Sequence, residues 1–321
     1  MLWSQFKDLV TFQHAQCRDT AVRVRDIQLR GALDGTLKLP LKAGNTIIHG
    51  ATKQGMSSLL SRFGITYAFF SKCSPRLQTE ILKEFLVKYH SETLLLRTKD
   101  FRTDDGESTS ILRFAGSNKY DVYNDVDAIN ALSPYIGDDI KLRGLRSCEY
   151  GDRTEFMVLL SPEPLKVVRD FGLAVRIVNS ETGLSSLRVD GMVMELACTN
   201  GMMLPKATLT GFARTHLAAK SSQEYRLRQF MDSFLPKLGE MSEKVQQKLE
   251  ALTHISAKDI FNRLTNNKSI PQHVVSDARR RLKNYGDSGL DAVSALTETA
   301  RDADTADMRE HLQSVAGEIV F

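Results

Sequence analysis

The chain lacks most of the marks of specialised protein classes. It has four cysteines in 321 residues, Cys17, Cys73, Cys148 and Cys198, with no Cys-x-x-Cys pair and no Cys/His cluster at zinc spacing. That pattern excludes a disulfide scaffold and a zinc ribbon, and leaves reduced, buried thiols of a cytoplasmic protein as the expectation. No apolar run approaches the roughly 20 residues that span a bilayer. The start, MLWSQFKDLVTF, lacks the basic, apolar and small-residue parts of a secretory leader. There is no GxxxxGK[ST] and no GxGxxG. The Gly-rich stretch GNTIIHGATKQG, with Lys53, has the wrong spacing for a phosphate cradle. An ATP-driven activity is therefore disfavoured. No GxSxG elbow supports a hydrolase triad. The sequence RVDG resembles the nucleophile motif of nucleotidyl-transferring ligases, but Arg188 stands where lysine is needed and cannot be deprotonated at useful pH. Neither an internal repeat nor a low-complexity linker is present.

What the chain does have is uneven charge. The net charge is only +4, yet residues 1–99 carry 15 Lys/Arg against 7 Asp/Glu and residues 201–283 carry the same numbers. Residues 100–200 carry 11 against 17, and residues 284–321 carry 2 against 8. Basic regions that meet in space form a focused positive surface and attract a polyanion. The plainer outcome is neutralisation by the acidic segments.

Periodicity predicts mixed structure. Ala21–Leu29 alternates and reads as a strand, with Arg23 and Arg25 opposite Val22 and Val24. Ser74-Pro75 opens a helix that ends near His90. TLLLRTK and TSILRFAG read as a hairpin around Thr103–Ser108. Asp121–Leu132 reads as a helix, and residues 133–152 as irregular. Three strands follow at about 154–160, 172–179 and 186–198, with Gly183 and Gly201 at turns needing positive φ. Residues 221–253 look helical with a kink or break at Pro236. Two short helices and a final one from about Leu290 to Val320 complete the chain. The order predicts an α+β fold: an antiparallel sheet that includes a β-β-β-α unit, packed by helices. Residues 1–220 form the expected core domain and residues 221–321 a helical region packed on it.

Four segments resemble the phage/plasmid-like proteins grouped as domain of unknown function 932. These are FFSKCSPRLQTEILKEFL with TLLLRTK, LRFAGSNKYDVYNDVDAINAL, VNSETG with ACTNGM, and LDAVSALTETARD with REHLQSVAGEIV. The resemblance spans most of the chain from about residue 55. It implies a mobile element in a bacterial cytoplasm and carries no catalytic residue. The β-β-β-α order is also similar to the core of the single-strand annealing recombinases of the Rad-fifty-two superfamily, an analogy of fold alone.

The candidate contacts are Arg/aromatic mixtures, which suit single strands because guanidinium groups track phosphates and rings stack on bases. They are Arg143 and Arg146; Arg214 and His216; Arg226 and Arg228 beside Tyr225; and Arg279, Arg280, Arg281 and Lys283 in DARRRLKN. The plainer reading of each is a solvated face. Asn179, Gly183, Asn200 and Gly201 mark polar turns, either locally stabilised or forming an edge for phosphate or a neighbouring subunit. Asp104, Asp105, Asp121, Asp125, Asp127, Asp138 and Asp139 offer ligands for a two-metal nuclease, but turns and helix starts explain them more simply. The expectation is a nucleic-acid-binding protein without cofactor or metal, of the single-strand annealing or replication-accessory kind. Single-stranded DNA is the favoured partner, no membrane is involved, and the reading allows a homo-oligomer. The alternatives are a protein-binding inhibitor of host defence and a metal-dependent nuclease.

Overall fold

Two sheets, rather than one, organise the α+β fold. The computed structural model describes residues 1–31, 33, 38–102, 108–147, 152–160, 165–167, 169–196, 201–205, 209, 211–215 and 220–321. Helix α1 (Trp3–Ala15) precedes strands β1 (Cys17–Arg23), β2 (Ile27–Leu29), β3 (Lys38–Ala43) and β4 (Thr46–Ala51). Helices α2 (Lys53–Arg62), α3 (Tyr67–Phe70) and α4 (Pro75–Lys88) then lead to β5 (Thr93–Arg102) and β6 (Ser108–Ser117). These six strands form the first sheet in the order β1-β5-β6-β4-β3-β2. Its β4–β6 pair is parallel and its other pairs are antiparallel.

Helix α5 (Asp125–Leu132) leads to the second sheet. Its strands are β7 (Leu142–Ser147), β8 (Thr154–Leu159), β9 (Leu165–Lys166), β10 (Asp170–Asn179), β11 (Leu187–Glu195), β12 (Gly201–Met203) and β13 (Phe212–Arg214). The order is β12-β11-β10-β8-β7, with β9 on β10 and β13 on β11, and every pair is antiparallel. Helices α6 (Lys220–Glu240), α7 (Ser242–Thr253), α8 (Ala257–Asn266), α9 (Gln272–Arg281), α10 (Gly289–Arg301) and α11 (Ala306–Val320) follow. No helix among the described residues is long and apolar enough to cross a membrane.

Local chemistry explains the element ends. Ser74 caps α4, accepting from the Leu77 N–H, and Pro75 takes the first helical position, where its missing N–H is harmless. Ser288 and Asp291 form a reciprocal capping box at α10. In β1 and the turn after it, Val22 and Val24 are buried while Arg23 and Arg25 face water. The predicted strand over Ala21–Leu29 is nonetheless broken by a short 3-10 turn at Val24–Asp26.

Other boundaries also differ from the sequence reading. Helix α5 starts at Asp125, because Asn124 and Asp127 build a capping box there. Arg143 and Arg146 lie on a strand, β7, and not in irregular chain. Helix α6 continues through Pro236 to Glu240, and the break comes at Met241. The last helical segment is two helices, because Thr305 caps a new one. Gly183 has φ +77, whereas Gly201 lacks positive φ and pairs with Met194 in β12. Residues 103–107, at the expected hairpin turn, lie outside the described residues, as do Cys148 and Cys198.

Among the described residues two large apolar cores result, beside a small cluster of Met157, Ala174, Met192 and Met194 on the second sheet. One joins the first sheet to α2, α3 and α4 through residues such as Leu60, Phe63, Leu94 and Leu112. The other is larger and holds α1, α5, the second sheet and the C-terminal helices, with Trp3, Phe156, Ile177, Phe234, Leu296 and Leu312 among its members. The C-terminal helices thus share the core of the second sheet.

Helix α11 docks very closely on β12. A Cβ on Gly317 would lie 1.7 Å from the Met203 carbonyl oxygen, so only glycine permits the approach. Gly317→Ala should lower unfolding stability by about 1–3 kcal/mol through overpacking. Gly239→Ala, where a Cβ meets nothing within 4 Å, should leave it unchanged or slightly higher. Urea unfolding midpoints check the contrast.

Candidate functional site

Charged side chains collect in two places that sequence spacing does not reveal. The first lies between the sheets. Arg97 on β5 and Arg113 on β6 are fully buried, and both reach Glu181, which follows β10. Arg113 Nη1 donates to Glu181 Oε2 at 3.1 Å, and its Nε donates to Asp152 at 3.1 Å. Arg97 donates to the Glu181 carbonyl at 3.4 Å and to Asn124 Oδ1, and pairs with Asp19 at 3.5 Å. The Asp125 N–H donates to the other Glu181 oxygen at 2.9 Å. Asp125 itself accepts from Thr154 Oγ1 at 2.5 Å and Asn179 Nδ2 at 2.8 Å.

Burial sets the proton affinities here. It pushes the Asp125 carboxyl well above the usual range, and the neighbouring Glu181 charge adds to this. Burial also opposes ionisation of Glu181, but Arg97 and Arg113 overcome it and hold that group low. Burial raises the Cys17 thiol, against the pull of Arg113, and lowers Lys99. The cavity beside His14, Cys17, Lys99 and Arg113 measures only about 10 Å³, room for one water at most. The ion pairs of this layer join the two sheets.

The second cluster lies on one face of the second sheet, under α11. Arg176 on β10 is fully buried and donates to Glu155 on β8 at 3.0 Å and to Asp190 on β11 at 3.4 Å. It also donates to Glu310 on α11 at 3.2 Å. Arg188 grips Glu310 with both terminal nitrogens, one at 2.5 Å. Arg153 lies 3.9 Å from Glu155, 3.8 Å from Glu310 and 4.0 Å from the exposed Asp307. Arg309 lies 3.8 Å from Glu155. Burial and the nearby Arg146 lower the proton affinity of Arg309. Burial disfavours the Glu310 charge, but the hydrogen bonds from Arg188 and the Arg176 charge hold its carboxyl down at about 2. Four arginines therefore meet three carboxylates and the exposed Asp307, with Arg146 close to Arg309. Among the described residues, Nε of Arg153, Arg188 and Arg309 and Nη2 of Arg153 are buried without a hydrogen-bond partner. An open groove of about 530 Å³ adjoins the cluster, its lining including Arg153 and Arg188, the carboxylates Asp307 and Glu310, and Leu184 and Met203.

The residues selected from sequence are scattered. Arg143 is exposed on β7, and Arg146 on the same strand donates to the Arg301 carbonyl at 3.1 Å. Arg214 is exposed on β13, opposite Leu187. Arg226 is exposed on α6, while Arg228 pairs with Glu224 at 3.0 Å. In the basic run, Arg279 covers the Phe261 ring and Arg280 pairs with Asp277. Arg281 pairs with Asp277, Glu298 and Asp302 at 2.9, 3.2 and 2.6 Å. Much of that run is therefore neutralised internally, with Lys283 exposed. His216 and Asn200 lie outside the described residues.

The turn at Asn179 is not an exposed edge. Asn179, Ser180, Glu181 and Thr182 are buried, and Asn179 also donates to the Tyr123 carbonyl at 3.0 Å. Asp125 points inward, and no group of three or more His, Cys, Asp or Glu among the described residues is placed to hold a metal ion. Arg153, Arg176, Arg188 and Arg309 escaped selection. The available signal was the period of two in β11, which puts Arg188 and Asp190 on one face. No family model, curated protein or solved structure matches the chain.

Two outcomes follow for the layer between the sheets. Glu181→Gln leaves Arg97 and Arg113 without their shared carboxylate and should cost about 3–5 kcal/mol of unfolding stability. For Asp125, the folded-state pKa lies above the unfolded one. Its contribution is greatest below the ordinary carboxylate range and is lost as pH rises toward neutrality. Asp125→Asn should therefore gain on the native chain between about pH 4 and pH 8. Urea midpoints measured across that range check it, and parallel curves would contradict it.

Proposed function

We propose that this chain is a nucleic-acid-binding protein whose phosphate contacts centre on the arginine cluster of the second sheet. The observation that carries the reading is the convergence of Arg153, Arg176, Arg188 and Arg309 on three recessed carboxylates, with Arg146 close to Arg309, beside an open groove. Surplus buried guanidinium groups favour a polyanion, and arginine forks match phosphate oxygens in pairs. Arg143 is exposed on the same strand as Arg146, whereas Arg214 pairs with Leu187 and lies on the other face of the sheet. The segments resembling phage/plasmid-like proteins fit a role in a mobile element of a bacterial cytoplasm, as a single-strand annealing or accessory factor working as an oligomer.

The test is fluorescence anisotropy with labelled oligonucleotides across a salt series. Binding should weaken steeply with salt, each phosphate contact adding about 0.7–0.9 to the log–log slope. Arg153→Gln should lower the slope by about one contact. Arg281→Gln, in the internally paired run, should not. Absence of binding at low salt would remove this reading.

A further inference from the structure

The groove beside the cluster has features that a flat phosphate-tracking surface does not need. Its cations are recessed: the side chains of Arg153 and Arg188 are 11% and 24% exposed. A duplex is stiff over about 150 base pairs and presents phosphates on a convex surface, which does not reach into such a recess. A single strand bends and can lower one phosphate into it. Two apolar side chains stand among the polar lining. Leu184 is 47% exposed, and Met203 lines the same groove. Leu184 is held rigidly: its N–H donates to Ser180 Oγ at 2.9 Å, and Gly183 before it takes φ +77. The volume of about 530 Å³ lies within the range of roughly 300–1,000 Å³ typical of small-ligand sites. One carboxylate, Glu310, already occupies both terminal nitrogens of Arg188.

We infer that this groove is a single-strand site: it receives one unpaired nucleotide, with the base against Leu184 and Met203 and the phosphate on Arg153 and Arg188 in competition with Glu310. The inference rests on the nucleic-acid reading above and assigns the unpaired strand a particular groove and contacts. Glu310 then acts as a built-in anion. It keeps Arg176 and Arg188 positioned and sets a threshold that a phosphate must overcome.

The experiment uses the full chain with a labelled single-stranded oligonucleotide, the matching duplex, and inorganic tripolyphosphate followed by calorimetry. The single strand should bind at least about tenfold tighter than the duplex. Arg153→Gln should weaken single-strand binding by about tenfold. Leu184→Ser should weaken it by about fivefold through the lost base contact and leave tripolyphosphate unchanged. Glu310→Gln should tighten both the single strand and tripolyphosphate by about fivefold, as expected when a competing charge is removed. That gain cannot arise from misfolding. Equal affinity for duplex and single strand, or an unchanged affinity in Leu184→Ser, would overturn the nucleotide site while leaving nucleic-acid binding in place. An unchanged or weakened affinity in Glu310→Gln would overturn the competition. If neither nucleic acid binds at low salt, the broader reading falls, and this inference falls with it.

Discussion

The fold depends on the Glu181 carboxylate between Arg97 and Arg113. Among the described residues the two sheets have separate apolar cores. Their junction is ionic, with two fully buried guanidinium groups contributed by the first sheet. Such charges are stable only when paired and hydrogen-bonded, because desolvation otherwise costs several kcal/mol per ion. Glu181 meets both arginines, accepts from the Asp125 backbone, and draws in Asp152 through Arg113. A sliding or rotated arrangement of the sheets would orphan a charge. An apolar junction would tolerate several arrangements, whereas this one permits few.

Size separates the two arginine clusters. Both contain a fully buried arginine and several carboxylates. One encloses about 10 Å³ and the other borders about 530 Å³. The enclosed cluster is balanced by Asp19, Asp152 and Glu181, with its partners supplied from both sheets. The open one leaves arginine nitrogens unpartnered among the described residues and keeps the long, weak ion pairs of Arg153. Burial alone would rank them equally as sites. Access and charge balance favour the second.

Much of the architecture is legible in the chain because it arises from local rules. Helix α4 follows from Ser74-Pro75, and strands β5, β6, β8, β10 and β11 follow from short β-rich runs. What fails is whatever depends on distant partners. The run Arg279–Arg281 reads as a free basic patch because Glu298 and Asp302 stand a helix away in sequence. The Asn179–Thr182 turn reads as a surface edge because turn residues are usually exposed, yet the first sheet covers it. The break between α10 and α11 was hidden because apolar spacing continues across it, and Thr305 acts as a cap only once Asp302 has ended the preceding helix. Arg176 and Arg188 gain meaning only when pleating and register set them beside Glu155 and under Glu310.

Helix α11 explains how an acidic C-terminal segment and an arginine cluster coexist. The segment is net negative, and free in solution it would be a diffuse counter-charge screened within a Debye length of roughly 8–10 Å. Docked through Leu312, Val315 and Ala316, with Gly317 against β12, it is fixed at atomic distance. Glu310 then neutralises selectively, gripping Arg188 and Arg176 while Arg153 stays 3.8 Å away. Arg309, one residue earlier on the same helix, adds a cation to the same face. The helix therefore partitions the cluster, tying two of its arginines by hydrogen bonds and leaving Arg153 with longer ion pairs in the wall of the groove. The close approach of Gly317 to β12 sets that division, because it fixes where Glu310 stands over the sheet.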